Sequence, residues 1–302
     1  MAPGLTGIGV HPEGLSVLRI ERNGGRPVLT VFDFRKWDGG TDRAKTLART
    51  VADYDLKRAR CTTALDPNEY ALLLTEAPDV PAEELRAALR WRIKDLIDFH
   101  VNDATLDVFE VPGEKASGRA RSMYAVAARS SAIQKRVDLL DAAGASLEVI
   151  DIPEMAQRNV AALLPEDAKG VACLTFQEAS ALLTITKQSE VYLTRTFDVG
   201  LEVLSQQLDL APYFERIVLE IQRSLDYFES HFRQAPVGSL AIGPVPEPIP
   251  GLLEHLQANL NVIVTSIDFS RLVDCRQDIP LALQSRCFAT LGAALRQEAV
   301  AL

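Results

Sequence analysis

His11 stands between Gly9 and Gly14 in TGIGVHPEGLSVLRIE, residues 6–21, which reads as strand, tight turn, strand. Glycine amides at such a turn can face a phosphate group, and an imidazole beside them could serve as a base. No G-x-S-x-G or similar nucleophile motif accompanies His11, so a turn histidine in water is the simpler reading. Asp151 follows the apolar run VID and precedes Pro153. That place suits a helix cap, with metal or water positioning as the alternative. Cys61, Cys173, Cys275 and Cys287 form no C-x-x-C pair, and the four histidines are dispersed. The sequence therefore predicts no catalytic residue, no metal site, and reduced buried thiols.

Composition narrows the class. At 302 residues the chain has room for two domains, or one with an insertion, and 47% apolar with 24% charged residues is ordinary for a globular protein. A net charge of −9 argues against a nucleic-acid partner, because phosphate neutralisation needs clustered Lys and Arg. The start MAPGLTGIGV lacks the pattern of a signal peptide, and no apolar run approaches the roughly 20 residues that span a bilayer. The expectation is a soluble, acidic, cytosolic protein with no membrane span of its own.

The elements that would position these residues come in a pattern given twice. LTGIGV, LSVLRIE and VLTVFDF read as three strands, with Asn23-Gly24 as a hairpin turn, followed by a helix near 41–53 and a strand at RCTTALD. GVACLTF, SALLTITK and EVYLTRTF repeat the run, turning at Lys187-Gln188-Ser189. A helix over 213–232 follows, with Ile217, Ile221, Leu225, Phe228 and Phe232 on a core-facing stripe. Then come SLAIG, PGLLEHLQANL, NVIVTSI and a last helix LQSRCFATLGAALRQ. This predicts a duplicated α/β fold, although any β-meander resembles another.

Residues 67–145 do not fit the repeat. Pro81, Glu83 and Glu84 suit the start of a helix over 82–99, with Leu85, Leu89, Ile93, Leu96 and Ile97 on one face. Strands are predicted at TLDVFEV and SMYAVAA, separated by the loop PGEKASGRAR. A helix capped by Ser130, carrying Ile133, Val137 and Leu140, ends at Gly144. Trp91 projects from the polar side of the 82–99 helix, either as a binding surface or packed against the host domain.

ALRWRIKDLIDFHVNDATLDVFEV, VIDIPEMAQRNVAALL, LTRTFDVG and EIQRSLDYFESHF followed by LAIGPVPEPIPGL together resemble the PilM family of type IV pilus assembly, in its MshI (MSHA-pilus) branch. The resemblance runs through nearly the whole chain in order. It implies an actin-like fold of duplicated, ribonuclease-H-like halves. Residues 1–66 with 146–165 would form the first half, 67–145 an inserted α+β subdomain, and 166–302 the second half. It also implies a cytoplasmic protein held at the inner membrane by the N-terminal tail of a PilN-like bitopic partner, alongside other platform or motor components. That tail is expected between the insert and its host, where Arg90, Trp91 and Phe99 would contact it.

Family members carry D-x-G at both phosphate turns. Gly9 and His11 stand at those positions in the first turn, Thr175 and Gln177 in the second. Neither Gly nor Thr supplies the carboxylate a hard cation prefers, and side chains replace glycine where amides must approach phosphate. At the adenosine turn Gly243 remains and Pro244 removes an N–H donor. A degenerate cleft without cofactor or hydrolysis is the main expectation, with residual ATP/Mg binding left open. The alternatives are a working ATPase of the same machinery and a type II secretion protein of similar fold.

Overall fold

The computed structural model describes residues 4–37, 43–112 and 121–297. β1 (Leu5–His11), β2 (Gly14–Glu21) and β3 (Val28–Lys36) form an antiparallel meander. α1 (Arg43–Asp53) leads to β4 (Arg60–Ala64), parallel to β1. An insert follows: β5 (Tyr70–Glu76), α2 (Ala82–Ile93), β6 (Ala104–Glu110) and β7 (Ser122–Arg129). α3 (Ser130–Ala142) then leads to β8 (Leu147–Asp151), parallel to β4.

After α4 (Pro153–Ala161) the plan repeats with β9 (Val171–Phe176), β10 (Ala181–Lys187) and β11 (Glu190–Phe197). α5 (Leu201–Gln206), α6 (Ala211–Phe232), β12 (Ser239–Ile242), α7 (Leu252–Asn259) and β13 (Ile263–Ser266) complete it. The order β3-β2-β1-β4-β8 in one sheet matches β11-β10-β9-β12-β13 in the other. The duplication is therefore topological as well as a likeness of sequence pattern. Residues at the β10–β11 turn pay for its tightness in backbone strain: Gln188 and Ser189 have φ of 54° and 64°. Asp167 stabilises it, its backbone O accepting Gln188 N–H and its carboxylate Ser189 N–H.

The equivalence corrects the insert's boundary. α3 corresponds to α7, the crossover between fourth and fifth strands, and its Leu140 packs with Ile8, Val17, Leu47 and Cys61 of the first half. The insert proper is thus β5 to β7, narrower than 67–145. The predicted loop PGEKASGRAR falls almost wholly at 113–120, outside the described residues. One face of the β5-β7-β6 sheet is covered by α2 through Leu89 and Ile93. α2 ends at Ile93 rather than 99, so Leu96 leaves the apolar face and is 61% exposed. Ser130 is the first residue of α3 and bonds Thr105 Oγ1 instead of capping the helix.

α6 buries Ile217, Ile221 and Phe228 against the second sheet, about 1.5–3 kcal/mol for each side chain. The predicted last helix is two, α9 (Leu281–Arg286) and α10 (Phe288–Ala294), after α8 (Phe269–Leu272) and β14 (Asp274–Cys275). β14 pairs with β3, and α10 lies across β1, so residues 166–302 include an arm on the first half. α10 also crosses α4. A Cβ on Gly292 would run into Ala156 O, and Asn159 Nδ2 donates to Gly292 O at 2.9 Å. Those two helices join the halves.

Candidate functional site

The first turn, Pro12-Glu13, sits at the end of β1 beside α10. His11 Nε2 and Ser16 Oγ are hydrogen-bonded at 2.8 Å, and Ser16 Oγ is 2.9 Å from Thr290 Oγ1. The imidazole also meets Phe34, with ring centroids 5.6 Å apart, and Arg286 lies over the same phenyl ring. Burial lowers the His11 pKa from 6.5 to about 4; Glu13 opposes the shift and Arg286 adds to it. The ring is neutral at pH 7, and it is a packed side chain where an exposed turn histidine was the simpler expectation. A Cβ on Gly9 would collide with Thr290 Oγ1 and Ser16 Oγ and lie 2.7 Å from His11 Nε2. Gly9 is glycine because α10 approaches β1 there.

The second turn is closed by its own groups. Gln177 N–H donates to Ser180 O at 2.8 Å, and Gln177 O accepts Leu201 N–H at 2.8 Å. Thr175 Oγ1 donates to Gln157 Oε1 at 2.7 Å, while Gln157 Nε2 donates to Cys173 O and Thr184 Oγ1. Thr175 also reaches the adenosine turn. Its Cγ2 lies 2.6 Å from where a Gly243 Cβ would stand, and Gly243 N–H is taken by Leu174 O. Pro244 is buried beside it.

Thr175 and Gly243 are thus brought together, and the His11 ring, the Thr175 hydroxyl and the Gln177 and Gly243 N–H groups are each bonded within the chain. Asp151 is buried, and it does not cap α4, whose N-cap is Ile152. Burial pushes its pKa up, while Arg296 Nη1 at 3.0 Å and Ile152 N–H oppose the shift. Gly9 and Thr175 bring no carboxylate, His11 is packed on Ser16 at the first turn, and the Gln177 amide is already bonded at the second. Among the described residues no group of three or more His, Cys, Asp or Glu is placed to hold a metal ion.

On the insert, Trp91 is 74% exposed, with Lys94 Nζ 5.4 Å from its ring centroid. Arg90 and Phe99 are committed elsewhere: Arg90 Nη1 donates to Val101 O at 2.9 Å, and Phe99 packs on the insert core beneath Arg129. Of the three predicted contacts, Trp91 is exposed, whereas Arg90 and Phe99 are half-buried.

A groove of about 430 Å³ lies between the insert and the second half, lined by Leu72, Leu74, Tyr124, Glu154, Arg195 and Tyr227 among others. Tyr124 Oη accepts Thr194 N–H at 3.2 Å across it. Glu154 accepts the Tyr70 hydroxyl at 2.6 Å, and burial raises its pKa against that bond.

Residues 76–209 match the family described as type IV pilus assembly protein PilM. No curated protein matches the sequence. Among solved structures, a PilM–PilN type IV pilus biogenesis complex superposes with a TM-score of 0.73 at 20% identity, covering 97% of this chain and 98% of that one. The cytoplasmic domain of EpsL, an inner membrane component of the Vibrio cholerae type II secretion system, gives 0.51 at 11% identity, covering 94% of each. A Bacteroides thetaiotaomicron protein of actin-like ATPase fold and unknown function gives 0.50 at 8% identity, covering 90% and 93%.

The fold is actin-like. The insert interrupts its first half. Among the described residues no helix is long and apolar enough to cross a membrane.

Sequence reasoning did not find Ser16, Thr290 or Gln157, which fill and tie the turns. Ser16 and Thr290 are 274 positions apart, and no local pattern joins them. The groove was missed with β5, although the run YALLL was a legible strand signal.

Proposed function

We propose that the chain is a non-catalytic cytoplasmic scaffold in the assembly platform of a type IV pilus, of the MSHA type that its sequence resembles. It is held at the inner membrane by the N-terminal cytoplasmic tail of a PilN-like bitopic protein, with other platform or motor components bound around it. The observation that carries the non-catalytic part is the His11–Ser16–Thr290 chain of hydrogen bonds at the first phosphate turn. The partner rests on the family match over 76–209 and on the likeness of fold to a PilM–PilN complex. Trp91, exposed on the insert, is the proposed anchor for part of that tail, since interface hot spots are rich in Trp.

A second reading, a type II secretion component, draws on the EpsL likeness, yet that superposition is weaker, 0.51 against 0.73. Affinity purification of the tagged chain from detergent-solubilised native membranes tests the assignment. A PilN-like single-span protein at near-equal amount is the expected result. Recovery of type II secretion proteins in its place would contradict it.

A further inference from the structure

The groove beside the insert has an unpaired sheet edge for a wall. β5 is the outer strand of the β5-β7-β6 sheet, and among the described residues no strand pairs with its other side. Ala77 N–H donates to Arg121 O, one step beyond the Glu76↔Ser122 pair. Antiparallel pairs alternate between bonded and non-bonded, so Thr75, Leu73 and Ala71 turn their backbone groups to β7. Leu72, Leu74 and Glu76 turn theirs outward. Arg92 Nη1 donating to Glu76 O at 3.0 Å agrees with that phase. Leu72 and Leu74 also line the groove, and Leu74 is 48% exposed. The edge therefore offers backbone donors and acceptors flanked by an apolar cavity, the combination that binds an extended peptide by strand addition.

Charge selects the occupant further. Glu154 is buried at the groove, and among the described residues it makes no ion pair; its side-chain partner is the Tyr70 hydroxyl. Arg195 is engaged with Glu220 at 4.0 Å and with the Tyr227 ring. A cationic side chain would complement Glu154, whereas an acidic one would oppose it.

We propose that β5 is a docking edge: the partner tail adds to it as an extra strand, with apolar side chains at alternate positions in the groove and a basic side chain at Glu154. This rests on the tail-binding reading above and specifies its mode. The probe is a synthetic peptide of the N-terminal cytoplasmic tail of the PilN-like protein from the same organism, added to the full chain.

Amide exchange at Leu72, Leu74 and Glu76 is expected to slow at least tenfold on saturation. N-methylation of the peptide at alternate amides is expected to weaken binding more than tenfold in one phase and less than twofold in the other. Glu154→Gln, which keeps an acceptor for Tyr70, is expected to weaken the tail about tenfold. A saturated complex with unchanged exchange at 72–76, or with both N-methylation phases equal, would overturn strand addition and leave the scaffold reading standing. A tail that does not bind at all would overturn both.

Discussion

Thr290 Oγ1 of α10 stands 2.9 Å from Ser16 Oγ of β2, and Ser16 in turn holds the His11 ring. One contact from α10 thus reaches the turn at the start of the fold, where the His11 ring is held in an internal bond. The non-catalytic reading rests on that relationship.

Gly9→Asp, which restores the missing carboxylate, is expected to destabilise the fold by about 1–3 kcal/mol, because the added Cβ has no space under Thr290 and Ser16. Urea unfolding measures it. Enzyme-dependent phosphate release should stay at the level of a heat-treated control in both proteins. A well-folded, hydrolysing variant would show that the turn is open.

The half-buried His11 gives stability a pH dependence of fixed sign. Its folded pKa, about 4, lies below the unfolded 6.5, so the unfolded chain takes up the proton first as pH falls. Stability should drop between pH 6.5 and 4, by on the order of 2 kcal/mol from this residue. His11→Gln should flatten the curve in that window. Asp151 and Glu154, whose carboxyls burial pushes up, bias the slope the other way in both proteins, so the difference between curves isolates His11.

Gly292→Ala probes the joint between the halves. Its Cβ would press into the backbone of Ala156, and the expected loss is about 1–3 kcal/mol of stability, read as a lower urea midpoint. An unchanged midpoint would mean that α4 and α10 separate at little cost.

Trp91→Ala should change the unfolding free energy in urea by no more than about 0.5 kcal/mol, since the indole lies in solvent. Tail affinity should fall by about 2 kcal/mol, close to thirtyfold. Normal affinity in the folded variant removes Trp91 from the site.

The meander given twice was legible because each strand carries its own apolar pattern, and strands such as β10, buried along most of its length, read as continuous runs. The α6 stripe was legible for the same local reason, and Ile217, Ile221 and Phe228 are all in the core. What failed depended on distant neighbours. Leu96 fits the helical period of α2, yet the helix stops at Ile93. Asp151 has the local surroundings of a cap and instead faces Arg296, 145 positions away. Gly9 is explained by α10 crossing β1, a contact that no spacing of residues announces.

Thermal melting of the purified chain during a Mg-ATP titration tests the central claim most directly. A ligand at 100 times its Kd adds about 2.7 kcal/mol to the stability of the folded state. With His11 packed on Ser16 and neither Gly9 nor Thr175 bearing a carboxylate, the predicted result is a Tm that stays constant to millimolar Mg-ATP. A saturable rise of about 5 °C would contradict the account.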